Sequence, residues 1–342
     1  MVELVSRARD FEATDPRDKV FALLGLANDI GDSDSRLSGL KPNYACSKEE
    51  VYCTFAKDYI VKTKKLDILS TVDIFSTRTR LEKRVSWMPD LDVPTATIRG
   101  FGFPRKYNAS LSTSVDCTQI RSKADNPFVL SLLGFTIDTV RSVNQDVVTF
   151  SRDLKVYVSN GNDAVTTLWN EHVRPSQQQY SGEELLRRYI KLLAAAGFAV
   201  PAEFPVWPLG RVVPPREVPS LIGDFAAYWK RTDPDFNDFG SSIRESLKQQ
   251  VRGGDADQFG VLVGKACHER KFFTTADGRM GLCPRGTRVG DAIVVLYGGS
   301  VPYVLRDVGG HDWKFVGECY VDGIMFGKAC ERRVGEELYR IV

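Results

Sequence analysis

The sequence predicts an α+β protein in which helical N-terminal and middle segments with short strands pack on a C-terminal antiparallel β-meander or small barrel. Three observations carry this reading. Apolar residues recur at helical spacing over 47–62 and again over 183–198. Short runs rich in β-branched and aromatic residues crowd residues 268–342. Asp277-Gly278, Gly298-Gly299 and Gly309-Gly310 then separate those runs as turns.

Val2, Val5 and Ala8 give a short helix over the first residues. Thr14-Asp15-Pro16 reads as the next helix start: a side-chain oxygen as N-cap, proline early in the first turn, and Asp18 near the positive end of the dipole. The run Val20-Phe21-Ala22-Leu23-Leu24 follows, and Gly25 is placed to end it. Caps account for every residue of this motif, which favours a structural role.

Ser47 and Glu50 fit a capping box, and the helix they open aligns Val51, Phe55, Tyr59 and Lys62. Tyr44 lies just upstream, placed to pack over the first turn. Ser86-Trp87-Met88-Pro89-Asp90 reads as a short strand broken by proline, with Trp87 as a core anchor. Residues 91–126 form a long irregular connection carrying Phe101 and Phe103. Two strands follow, over Phe128–Phe135 and Thr136–Val140.

Helical periodicity returns from Asp163 to Gln250, with Leu185, Leu186, Tyr189, Ile190 and Leu193 on one side. A proline-rich break from Pro201 to Pro219 precedes helices over Leu221–Lys230 and Ile243–Val251. The last strands lie at Lys271–Thr275, Ala292–Leu296, Tyr303–Arg306 and Trp313–Glu318. The chain divides into segments 1–150, 151–256 and 257–342, read as one continuous globular unit.

Acidic and basic residues are interspersed and the net charge is +2, so no electrostatic footprint for nucleic acid is present. Seven cysteines without paired spacing argue against a disulfide framework and fit a reducing compartment. The early charges exclude a secretory signal and no apolar run is long enough to span a membrane, so the expected location is cytoplasmic. His172, His268 and His311 are too far apart to form a local metal motif. Asp233 opens a calcium-like run, but Asp238 and Arg244 stand where glycine and glutamate are needed. Phosphate-loop, dinucleotide and nucleophile-elbow motifs are also missing. Neither a metal nor a cofactor is expected.

Five motifs resemble one known family. They are Thr14-Asp15-Pro16-Arg17-Asp18-Lys19-Val20-Phe21, Asn43-Tyr44 with Ser47, Glu50 and Val51, Ser86–Asp90, and the pair Gly278–Pro284 and Gly317–Met325. This set is similar to the region that follows the effector domain in fungal heterokaryon-incompatibility (HET) proteins. The resemblance implies incompatibility and programmed cell death as the setting, with the toxic activity in a TIR-like half that would lie upstream of residue 1.

Elimination leaves three functional readings. The first is a stand-alone HET-related protein that binds a small hydrophobic metabolite and catalyses a cofactor-free cyclisation or isomerisation, including a Diels–Alder-type step, in specialised metabolism. Catalysis would come from orientation and a few donors. His311, Tyr320 and Arg306 are the candidate donors; Trp87, Phe101, Phe103 and Trp313 are the candidate apolar wall. Arg306 and Glu318 are also expected to pair across neighbouring strands. The alternative is a non-catalytic recognition or regulatory module with a protein partner. The third is a truncated product with no independent role. An enclosed apolar pocket separates the first reading from a solid core with an exposed apolar patch.

Overall fold

A computed structural model describes residues 8–24, 41–72, 85–93, 100–102, 107–118, 120, 126–151, 156–158, 161–175, 181–195, 218–332 and 335–342. Val2, Val5, Gly25, Phe103 and most of the proline-rich break lie outside these residues. The fold is α+β.

The N-terminal motifs form one clasp. Helix α1 (Asp18–Phe21) is a single turn. The Asp15 carboxylate accepts the Arg17 backbone N–H at 2.9 Å and also the Arg17 guanidinium, at 2.9 and 2.6 Å. The cap thus acts on the residue before the helix and not on its first turn. Arg17 in turn donates to the carbonyls of Tyr44 and Cys46 at 2.7 and 2.8 Å. Tyr44 donates to Asp18 at 2.6 Å and sets its ring edge-on to Phe21, with centroids 5.3 Å apart. These contacts lead into helix α2 (Lys48–Thr63), which has the expected capping box between Ser47 and Glu50. Val51, Phe55 and Tyr59 are buried, whereas Lys62 is exposed. The Tyr52 hydroxyl ties α2 back to the Pro16 carbonyl at 2.6 Å.

Ser86–Asp90 is buried but is not a strand. Ser86 donates to the Val342 carbonyl through both its backbone N–H and its hydroxyl, and the hydroxyl accepts from Phe315 N–H at 2.9 Å. The Trp87 indole donates to the Phe128 carbonyl at 2.9 Å. With its polar groups met in this way, the segment needs no ladder.

The two expected strands over 128–140 are one 14-residue strand, β1 (Leu130–Val143). After a small hairpin, β2 (Thr149–Phe150) and β3 (Val156–Tyr157), come the helices α3 (Ala164–Leu168), α4 (Gly182–Leu193), α5 (Val218–Trp229), α6 (Ser241–Gln250) and α7 (Ala256–Cys267). The predicted face of α4 is buried at Leu185, Leu186, Tyr189, Ile190 and Leu193. Trp169, Trp229, Phe225, Phe239 and Phe259 stack into one aromatic core between the helices. Helix α7 was not expected. Its nine residues from Phe259 to Cys267 are all buried, so the run lacks the polar stripe that betrays a surface helix.

The remaining strands are β4 (Arg270–Thr275), β5 (Met280–Pro284), β6 (Ala292–Leu296), β7 (Tyr303–Gly309), β8 (Asp312–Glu318), β9 (Tyr320–Val321) and β10 (Glu337–Ile341). Their order is β10-β8-β7-β6-β1-β4-β5-β9, and β10 also pairs with β1. Strands β1, β6, β7, β8 and β10 therefore close a five-stranded ring. Closure removes the sheet edges in this half. Leu132, Val294, Leu305, Phe315 and Tyr339 belong to the main core. Alternate residues of the same strands, among them Phe135, Val295, Val304 and Val316, form a second core with Val321, Ile324 and Ala329. Register shifts between Thr136 and Asp138 and between Val140 and Ser142 let β1 leave the ring and pair with β4.

Candidate functional site

The most enclosed polar cluster sits where the end of β8 meets the start of β4. Glu318 and Arg270 form an ion pair at 3.1 Å, with side chains 9% and 2% exposed. The Glu318 carboxylate also accepts the backbone N–H groups of Phe101 and Gly102, the latter at 2.9 Å. Arg270 donates to the Ala266 carbonyl at 2.8 Å and lies over the Phe101 ring, 3.9 Å from its centroid. The pair thus links barrel, helix α7 and the 100–102 segment. The expected partner of Glu318 was Arg306, so the structure corrects that pairing. Arg306 faces the other way and grips Asp291 with two bonds of 2.8 Å, plus the Gly286 carbonyl at 2.8 Å. Neighbouring strands do not guarantee a shared face, and the bulges of β7 and β8 alter the register between them.

From Phe101 a row of rings runs outward. Tyr320 stands 6.0 Å from Phe101 and 5.9 Å from Tyr107, and Tyr107 stands 5.5 Å from Phe326. Phe326 is 69% exposed, and Leu111 beside Gly327 is 51% exposed. This apolar patch lies on the loop after β9, within the stretch that follows Gly323.

The structure brings Phe101 and Tyr320 together and disperses the other candidates. Trp87 is fully buried under α2, with Lys57 over its ring at 5.7 Å. Trp313 packs edge-on against Tyr339 at 5.3 Å. His311 is exposed at the β7–β8 turn with φ +66°. Burial pushes the Tyr320 phenol well up, so it stays neutral. Burial likewise pushes the Cys53, Cys267 and Cys283 thiols up to about 12, so none is a thiolate at neutral pH. Tyr107, Phe326, Arg270 and Arg279 escaped the sequence reading. Phe326 alone left a usable signal, a large apolar residue in a glycine-flanked turn.

His268 gives a pH handle. Its Nδ1 accepts the Phe150 N–H at 3.0 Å, and burial lowers its pKa from the ordinary 6.5. His172, stacked on Phe272, shifts in the same direction for the same reason. The unfolded chain then takes up these protons first. Their contribution to stability is complete above about pH 6.5 and declines as pH falls toward the folded-state values. Melting scans between about pH 7.5 and 5.5 should show this decline, and His268→Asn, which keeps an acceptor without titrating, should flatten it. Identical slopes would remove His268 from this role.

Two partly open clefts lie among the described residues. One of about 290 Å3 lies between β1 and the loop after β9, and one of about 280 Å3 lies beside Tyr157 and Tyr228. The enclosed apolar chamber that a cyclisation site requires is not among them. No group of three His, Cys, Asp or Glu side chains is placed to hold a metal ion among the described residues. No described helix is long and apolar enough to cross a membrane.

Residues 224–341 match the family model of the Het-6 beta-barrel domain. The chain is also 24% identical, over 96% of its length, to heterokaryon incompatibility protein 6, OR allele, of Neurospora crassa. The chain is thus similar to fungal heterokaryon-incompatibility proteins, by the family model over its C-terminal part and by the relative along most of its length. It spans about half (51%) of the length of that relative. No solved structure matches the chain. The matched stretch leaves out β1, yet closure of the ring depends on it: β1 joins β6 to β10. The two C-terminal motifs of the sequence also prove to be one contact. Gly281 and Leu282 pair with Val321 and Tyr320, and Gly317 packs on the Pro284 ring.

Proposed function

We propose that the chain acts as a non-catalytic recognition and regulatory module in fungal heterokaryon incompatibility and programmed cell death, working through protein contacts. The observation that carries this reading is the relation to heterokaryon incompatibility protein 6, which runs along 96% of the chain. The packing agrees with it. Among the described residues the most exposed aromatic outside the N-terminus, Phe326, is presented on a framework of buried rings. Aromatics held in this way are the residues that dominate protein interfaces.

Replacing the gene with a Phe326→Asp allele tests this in the host. The reading expects a weakened incompatibility response, with loss of about 2 kcal/mol of contact energy, on the order of 30-fold in affinity. The unfolding midpoint of the purified variant should stay near the parent's, because the side chain is largely in solvent. Gene deletion adds the opposing arm. A strain with unchanged fusion and cell-death behaviour that has lost a cyclised metabolite would overturn the proposal.

A further inference from the structure

The cleft of about 290 Å3 between β1, the β4–β5 turn and the loop after β9 is lined by two cations, Arg279 and Lys328, that form no ion pair among the described residues. Arg279 immediately precedes β5, and its backbone is fixed on both sides. Its carbonyl accepts from Thr275 N–H at 2.9 Å, and its N–H donates to the Thr275 hydroxyl at 3.1 Å. Its side chain runs past the bare Cα of Gly323, where even a built Cβ would clear the guanidinium by 3.7 Å. The Nε atom is buried and has no hydrogen-bond acceptor among the described residues. A buried charged donor without an acceptor is costly, and native structures rarely leave one unmet. Lys328 lines the same cleft from the loop, and no carboxylate among the described residues forms an ion pair with either cation. Asp277, at the rim, donates its own backbone N–H to Asp138. Two cations and one carboxylate leave the cleft with a net positive charge. Its floor is apolar, formed by Phe135, Ile137 and Ile324.

We propose that this cleft binds a small organic oxyanion, with a phosphate or carboxylate head on Arg279 and Lys328 and an apolar or aromatic body against Phe135, Ile137 and Ile324. The guanidinium fork suits either head through paired, charge-assisted hydrogen bonds, and Lys328 adds a point charge. The apolar floor separates this site from a plain anion trap, because inorganic phosphate would leave it uncovered. The site stands on observations independent of the protein-contact role proposed above, so each can fail alone.

Titration calorimetry on the full chain at low salt, with phenyl phosphate, benzoate, inorganic phosphate and phenol as probes, tests it. At least one of the two aromatic anions should bind, about tenfold or more tighter than inorganic phosphate and phenol. Phenyl phosphate ahead of benzoate assigns a phosphate head, and the reverse order a carboxylate. Arg279→Gln should weaken that probe by about tenfold or more, and Lys328→Gln, at an exposed position, by several-fold. Lys328→Glu keeps the test open should Arg279→Gln fold poorly, because charge reversal there should abolish binding. No heat from either aromatic anion at about 10 mM would overturn the proposal, as would binding that is unchanged in the Lys328→Glu protein.

Discussion

Replacing Glu318 with glutamine is expected to destabilise the protein by roughly 3–5 kcal/mol, read as a lower urea midpoint at unchanged slope. Arg270, its partner, is 2% exposed, donates to the Ala266 carbonyl and lies over the Phe101 ring. Neutralising the carboxylate therefore takes the Glu318 charge away from a buried guanidinium. It also weakens the acceptor for two backbone donors, Phe101 N–H and Gly102 N–H. A loss of this size is a large share of the total stability of an ordinary domain.

The double variant Arg270→Met with Glu318→Met sharpens the interpretation. Removing both charges should recover part of the loss, as replacement of buried pairs by apolar residues often does. Recovery should remain incomplete, since the two amides of 101 and 102 stay unpaired. Full recovery would show that the carboxylate serves Arg270 alone. An undiminished midpoint in Glu318→Gln would show that the cluster is hydrated and not a keystone between barrel and helices.

Gly281→Ala is expected to be the second most damaging change. A Cβ at this position would overlap the Phe273 ring and stand 2.5 Å from the Tyr320 carbonyl oxygen. The ring belongs to the second core and the carbonyl to β9, so relief requires moving a strand that pairs with β5. Overpacking of this kind costs about 1–3 kcal/mol, and more where backbone obstructs the new atom. Because Tyr320 leads into the loop that carries Phe326, the same change should also disorder the exposed patch. Thermal unfolding and exchange protection of the 320–327 amides report the two effects separately. An alanine variant that melts with the parent and keeps that protection would mean the β5–β9 contact is looser than drawn.

Much of the architecture was legible because local rules govern it. The Ser47–Glu50 box, the buried face of α4 and the strands near Lys271–Thr275, Ala292–Leu296, Tyr303–Arg306 and Trp313–Glu318 follow from capping chemistry and side-chain period, whereas β5, β9 and β10 were not read from the sequence. Gly281 and Gly317 are both positions of close approach, Gly281 to the Phe273 ring and Gly317 to the Pro284 ring. Helix α7 was not legible because its residues from Phe259 to Cys267 are all buried and leave no clear polar stripe. The Ser86–Asp90 segment misled for a related reason: its composition suits a strand, but its hydrogen bonds go to the chain end at Val342 and to Phe315.

The candidate site fared differently. Residue type and turn position picked out Tyr320 and Phe101, which do meet, but also Trp87, which the core absorbs, and His311, which lies on an exposed turn. Aromatic side chains serve core and surface alike, so composition alone does not divide them.

What the sequence by itself determined was most of the local elements and a resemblance carried by their motifs, since caps, turns and periodicity are written within a few residues of one another. What only the tertiary structure decided was which distant residues share a face. Arg270 rather than Arg306 reaches Glu318, β1 closes a ring with strands about 150 residues and more downstream, and Arg279 meets Lys328 across a cleft. Bulges, register and sheet closure set those meetings, and each depends on the packing of the whole chain and not on any one stretch of it.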